Sequence, residues 1–148
     1  MHPAIDTAFI GHRFAPFEVR VELGRLKLFA AATGNADPVY RDEASAREAG
    51  YASIPLPPTY LFTLEMERDD PNDFLDLLGI DLGRILHGEQ AFTYRKVACA
   101  GDCLTFQNRI EDIYAKKGGA LQFVVIVTDV TNADGEPVAE MTKTIVIR

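Results

Sequence analysis

Few places in this sequence gather side chains that could move a proton or grip a carbonyl group. The loop Gly34-Asn35-Ala36-Asp37-Pro38-Val39-Tyr40 brings an amide, a carboxylate and a phenol within a few positions of one another. An amide cannot act as a base, and a phenol with an ordinary pKa of about 10 is a poor one at neutral pH. Asp37, just before Pro38, is a side chain suited to capping its own turn. Glu65 is the carboxylate within the apolar run Tyr60–Met66, and it falls either inside the protein or at the wet end of that run. His87, in Leu86-His87-Gly88-Glu89-Gln90, is a lone histidine near a strand start and reads as structural. His2 and His12 lie in an N-terminal stretch expected to fray. The spacing of Cys99 and Cys103 matches neither a redox pair nor a zinc knuckle, so two reduced thiols in or near a strand are expected. No constellation supports a metal or redox cofactor, and none is expected.

The elements that must position these residues are set by a chain of 148 residues, the usual size of one domain and long enough to bury a core without staples. Hydrophobic residues make up 47% and charged residues 25%, an ordinary globular balance. The net charge of −7, with no block of Lys and Arg, speaks against nucleic acid as a partner. No apolar stretch reaches membrane-spanning length and the N-terminus lacks a signal-peptide pattern, so a cytoplasmic protein without a membrane partner is expected.

The first half of the chain is helical. After an extended segment at Phe14–Val21, Leu23, Leu26, Phe29 and Ala30 recur at helical spacing before Gly34. A second short helix is expected over Asp42–Ala49, ended by Gly50. The prolines of Ile54-Pro55-Leu56-Pro57-Pro58-Thr59 force an extended or turning path, with Pro58 suited to a helix's first turn. From Thr59 the run to Met66 is apolar almost all round, the mark of a helix wrapped on several sides. An acidic excursion follows (an insertion at about 67–84), with a short helix through Phe74–Leu78. It reads first as a solvated surface insertion and, alternatively, as a flap over a ligand tunnel.

The second half is strand-rich. Gln90–Arg95, Cys103–Lys116, Leu121–Thr131 and Val138–Ile147 read as strands, separated by turns at Ala100-Gly101-Asp102, Lys117-Gly118-Gly119 and Asn132–Gly135. Long strands joined by hairpins make an antiparallel sheet, and an all-round apolar helix is buried if that sheet curls around it. The expected fold class is α+β: a single hot-dog domain over residues 1–148, its sheet wrapped around a central apolar helix.

The loop Gly34–Tyr40 resembles the G-D-x-N-P-x-H signature of MaoC-like (R)-specific enoyl-thioester hydratases. Ile54–Tyr60, Leu86–Gln90, Ala100–Leu104 and Lys116–Gly119 add, in order and spacing, to a resemblance with the N-terminal-type half-domain of that family over nearly the whole chain. The family's Asp and His hold a water between them and exchange its protons, while a backbone N–H at the central helix start polarises the thioester carbonyl. Here Asn35 and Tyr40 stand at the Asp and His positions. Pro57-Pro58 fall where catalytic members carry a His-Gly pair, and proline has no N–H to donate.

The resemblance therefore implies a chain without a catalytic dyad of its own. The expected function is a degenerate, acyl-tunnel-forming subunit of an enoyl-CoA hydratase or 3-hydroxyacyl-thioester dehydratase. Asn35, Asp37, Tyr40, Pro58, Thr59 and Tyr60 are the expected substrate contacts, and no residue of the chain is expected to be catalytic. The implied partners are an acyl-CoA or acyl-carrier thioester and a second hot-dog protomer, either a copy of this chain or a catalytic MaoC-like subunit. A homomeric thioesterase using Glu65, an atypical hydratase, and a non-enzymatic acyl-thioester-binding module remain as alternatives. Arg95, Lys96, Lys116 and Lys117 could touch CoA phosphates, with surface solvation the simpler reading.

Overall fold

A computed structural model describes residues 3–148. His2 lies outside the described residues. In chain order the elements are β1 (Phe17–Arg20), α1 (Leu23–Ala32), α2 (Glu43–Glu48), α3 (Tyr60–Glu65), α4 (Asp73–Leu78), β2 (Ile85–Tyr94), β3 (Cys103–Lys116), β4 (Leu121–Thr131) and β5 (Pro137–Ile147). The strands form one five-stranded sheet in the order β1-β3-β4-β5-β2, with every pairing antiparallel. Hairpins link β3 to β4 and β4 to β5, as the Gly-rich turns predict. Of the glycines there, Gly118 and Gly119 have φ of 64° and 93°, a region that costs a side chain strain.

The helical periodicity of the first half is realised. Leu26 and Ala30 of α1 are buried, with Leu23 and Phe29 packed against the same core. Asp42 caps α2, its carboxylate accepting from the Ser45 amide at 2.8 Å. The central helix α3 is shorter than its apolar run, because Thr59 and Met66 are its cap residues. Tyr60, Leu61, Leu64 and Glu65 are buried there, and the first three pack against Val19, Leu104, Phe106, Val130 and Met141 of the surrounding strands. The sheet does curl around an apolar helix, which defines the hot-dog fold.

Two expectations change. The acidic segment is not simply a solvated insertion. Asp69 and Asp70 are exposed, but Phe74, Leu75 and Ile80 are buried in a second apolar cluster with Ile110, Ile113, Val124, Ile126, Ile145 and Ile147. The helix α4 covers the half of the sheet that the short α3 cannot reach. The segment is also pinned at its start, where the Arg68 guanidinium lies 5.8 Å and 5.4 Å from the Phe14 and Phe17 ring centres and pairs with Asp73. Nor does the chain around His12 fray: Gly11 N–H donates to Ile110 O at 2.8 Å and Phe14 N–H to Asn108 O at 3.0 Å. His12 itself packs edge-on against Phe14.

These contacts separate buried from solvated parts of one short segment. Phe74→Ala should cost about 3–5 kcal/mol of folding stability, whereas Asp69→Ala should stay within about 0.5 kcal/mol. Urea denaturation of the two variants checks both; equal, small effects would return the segment to the status of a surface insertion.

Candidate active-site cleft and the buried carboxylate

The signature loop leaves α1 through a tight turn. Gly34 takes φ of 68° and Asn35 N–H returns to Ala30 O at 2.9 Å. The two polar side chains of the loop are then spent on the loop itself. Asn35 Oδ1 accepts from Asp37 N–H and Asp37 Oδ1 accepts from Val39 N–H, each at 3.1 Å. The second bond caps a short 3-10 turn over Pro38–Tyr40 and delivers Tyr40 to the mouth of a cleft.

That cleft encloses about 170 Å³. Tyr40 and Tyr51 form one wall, Pro55, Leu56, Pro58 and Leu61 the wall at the start of α3, and Tyr94 with Lys96, Val97, Ala98 and Val138 the sheet side. The strand-like path before α3 is held against residues 98–100, with Leu56 N–H donating to Ala98 O at 2.9 Å and Ala100 N–H to Ile54 O at 2.8 Å. Of the sequence-derived contacts, Tyr40 and Pro58 line the cleft. Asn35 and Asp37 sit in the loop behind it, Thr59 is exposed, and Tyr60 is turned into the core at 2% exposure, edge-on to Phe29 at 4.9 Å.

Among the described residues, the side chains that give the cleft its polar groups are phenols and one ammonium, and no carboxylate or imidazole lines it. Burial first, and then the neighbouring Tyr51 phenol and Asp37 carboxylate, push the Tyr40 phenol above its ordinary value. Burial and then Tyr40 push Tyr94 up to about 12. Both phenols are therefore hydrogen-bond donors at neutral pH and neither is a base. Lys96 is engaged at 2.5 Å by Glu136. At the helix start Pro58 offers no N–H, and Tyr60 N–H is used by Pro57 O at 3.0 Å, so the backbone gives the cleft fewer donors there than a proline-free start. Tyr51 and Tyr94 were not singled out in the sequence, because isolated tyrosines carry no spacing signal.

Glu65 lies on α3 and away from solvent, at 2% exposure, not at a wet helix end. Its Oε1 accepts from Asn108 Nδ2 at 2.5 Å, Thr128 Oγ1 at 2.8 Å and Lys143 Nζ at 3.3 Å. Three adjacent strands each supply one donor. None of those partners could be found from the sequence, where each reads as one more inward or outward position of an alternating strand. His87 is exposed on β2 and lies edge-on to Phe62 at 5.2 Å. Cys99 and Cys103 are free thiols, and Lys116 lies over the stacked Tyr114 and Phe123 rings.

A fold of this kind with this loop has clear relatives. Residues 8–141 match the family described as FAS1-like, dehydratase domain region. A UPF0336 protein of Saccharopolyspora erythraea is 34% identical over 146 residues, 97% of this chain and 92% of that protein. Among solved structures, the HadBC (3R-hydroxyacyl-ACP dehydratase) complex of Mycobacterium tuberculosis superposes with a TM-score of 0.80 at 26% identity, covering 93% of this chain and 96% of that one. A MaoC-like dehydratase superposes with a TM-score of 0.84 at 22% identity, covering 95% of this chain and 42% of that one, a likeness of fold. The chain belongs to the FAS1-like dehydratase-domain-region family, and its hot-dog fold is that of the HadBC and MaoC-like dehydratases.

Two measurements test this geometry. Lys143→Ala leaves the Glu65 carboxylate buried without its cation and should destabilise the fold by about 3–5 kcal/mol; a loss below 1 kcal/mol, within the range of exposed pairs, would show that the pair is not buried in solution. Tyr94 sets the alkaline limit. Its folded pKa is raised, so its stabilising contribution is whole below the unfolded value near 10 and is lost as pH climbs from there to about 12. Alkaline unfolding of Tyr94→Phe should therefore fall less steeply than that of the native chain across that window, and parallel curves would refute the assignment.

Proposed function

We propose that this chain is the non-catalytic, acyl-shaping subunit of an (R)-specific enoyl-thioester hydratase or 3-hydroxyacyl-thioester dehydratase, acting beside a MaoC-like partner that keeps the Asp/His loop. One observation carries the reading. The cleft sits at the loop and helix start where the family's chemistry is done, yet among the described residues no carboxylate or imidazole lines it to serve as a base. Asn35 Oδ1 and Asp37 Oδ1, in the loop that presents Tyr40, accept backbone N–H groups of the loop itself.

The cleft can still bind. Its walls are apolar and aromatic, which suits an acyl chain, and the Tyr40 and Tyr94 phenols can donate to a thioester carbonyl or a 3-hydroxyl. The edge strand β2 supports a partner protomer: ten residues long, it pairs only with β5, and Leu86, Tyr94 and Val97 along it or just beyond are 46%, 45% and 57% exposed. A second protomer joining at this edge removes an unpaired strand and walls the open side of the cleft. The complexed state of the HadBC relative fits such a pairing. Among the described residues no helix is long and apolar enough to cross a membrane.

The competing reading, a homomeric thioester hydrolase, takes its support from the carboxylate of Glu65 on the central helix, but Glu65 is 2% exposed and does not line the cleft. Enoyl-CoA hydration and thioester hydrolysis measured on the purified chain, alone and with a MaoC-like partner bearing an intact loop, separate the two. Inactivity alone and hydration by the pair is the expected result. Strong turnover by the chain alone, abolished by Glu65→Gln, would sink the proposal.

A further inference from the structure

The cleft has a mouth and a floor, and the two differ in kind. Pro58, Tyr94, Lys96 and Val97 are exposed and form the mouth. Pro55 is buried, and with it Leu61, Ala98 and Val138, at 1%, 5% and 2% exposure, form the floor. Tyr40, Tyr51 and Leu56 stand between the two, half-buried.

The floor is also the outer skin of the core. Leu61, Ala98 and Val138 belong to the apolar cluster that holds Phe106, Val130 and Met141 at 0%, 1% and 1% exposure. A ligand goes deeper only by displacing close-packed side chains, because interiors carry few voids larger than a water molecule. Residues 96–98 and Val138 also border a second hollow, lined by Asp102, Asn132 and Asp134. Alkyl carbons placed there would exchange water for carboxylates and an amide, without the gain that apolar walls give. For an apolar chain the cleft is therefore blind. Its walls are stiff as well. Pro55 and Pro58 restrain the backbone on one side, and the Tyr94 ring is backed by the parallel ring of Phe92, centres 5.9 Å apart.

The size of a blind, stiff cleft bounds its guest. The space is about 170 Å³, whereas a closed apolar cavity of about 150 Å³ holds one benzene molecule, a group of about six carbons. We propose that the acyl group accepted by this chain is short and compact, of about six carbons or fewer, and that Leu61, Ala98 and Val138 set that limit. The thioester stays at the mouth beside the Tyr40 and Tyr94 phenols, and the hydrocarbon fills the space down to the floor. Carbons past the limit stay in water. The inference rests on the reading of the cleft as a thioester site.

The test is calorimetric titration of the full chain with acetyl-, butyryl-, hexanoyl-, octanoyl- and dodecanoyl-CoA. Affinity should rise about three- to fourfold for each methylene up to hexanoyl-CoA, the effect of burying one such group. From there to dodecanoyl-CoA it should stay level or fall. Val138→Ala should carry the rise on to octanoyl-CoA, because the floor loses methyl groups there. Affinity that keeps climbing to dodecanoyl-CoA in the native chain overturns this inference and leaves the thioester reading intact. An unchanged break point in Val138→Ala, shown by circular dichroism to be folded, also overturns it. If that variant does not fold, the native series decides by itself. Binding of none of the thioesters overturns both readings.

Discussion

The carboxylate of Glu65 is the constraint on which the rest of the molecule is arranged. It sits at 2% exposure on a helix of six residues, too short to be stable by itself, so α3 exists because the sheet holds it. A buried carboxylate is tolerated only with a cation and hydrogen-bond donors around it. Asn108, Thr128 and Lys143 come from β3, β4 and β5, and they can converge on one oxygen only if those strands keep their register and α3 keeps its rotation. Four residues earlier, a little over one turn back, Leu61 then faces the cleft. The geometry of the cleft is thus set from the opposite end of the helix.

The shortness of α3 has two further consequences. It cannot cover the sheet, so the half over Ile110, Val124, Ile126, Ile145 and Ile147 needs α4, and the acidic segment is recruited to the core through Phe74 and Leu75. On the other side the edge strand β2 stays half-covered: Phe92 packs against the core, while Tyr94 is exposed and lines the cleft.

The sequence made the architecture legible where the signal is local. Alternation over Cys103–Lys116 and Leu121–Thr131 and the glycines between them predict strand ends that the structure reproduces to the residue. Helical spacing of Leu23, Leu26 and Ala30 predicts α1 and its buried stripe. Features that depend on contacts far apart in the chain were not legible. Glu65 and Lys143 are 78 residues apart, and nothing local distinguishes an inward-facing lysine from an outward one. The charge of the stretch after Met66 masked Phe74 and Leu75, because composition averages over a segment whereas burial acts on single side chains. The cleft was half legible: the motif frame marks Tyr40 and Pro58, but Tyr51 and Tyr94 join them only through the fold.

Why the loop keeps its frame without a base follows from its hydrogen bonds. A side-chain oxygen at position 35 is needed to accept from Asp37 N–H, and Asp37 in turn must accept from Val39 N–H to start the turn that presents Tyr40. An amide oxygen serves the first bond as well as a carboxylate does, so Asn35 satisfies the conformational demand while lacking the proton-accepting one. Tyr40 is likewise the right shape to wall an apolar cleft, and its desolvated phenol stays protonated. Loop conformation and acid–base chemistry are therefore separable requirements at the same positions. This chain meets the first, which gives the cleft its form, while Asn35 and Tyr40 do not meet the second.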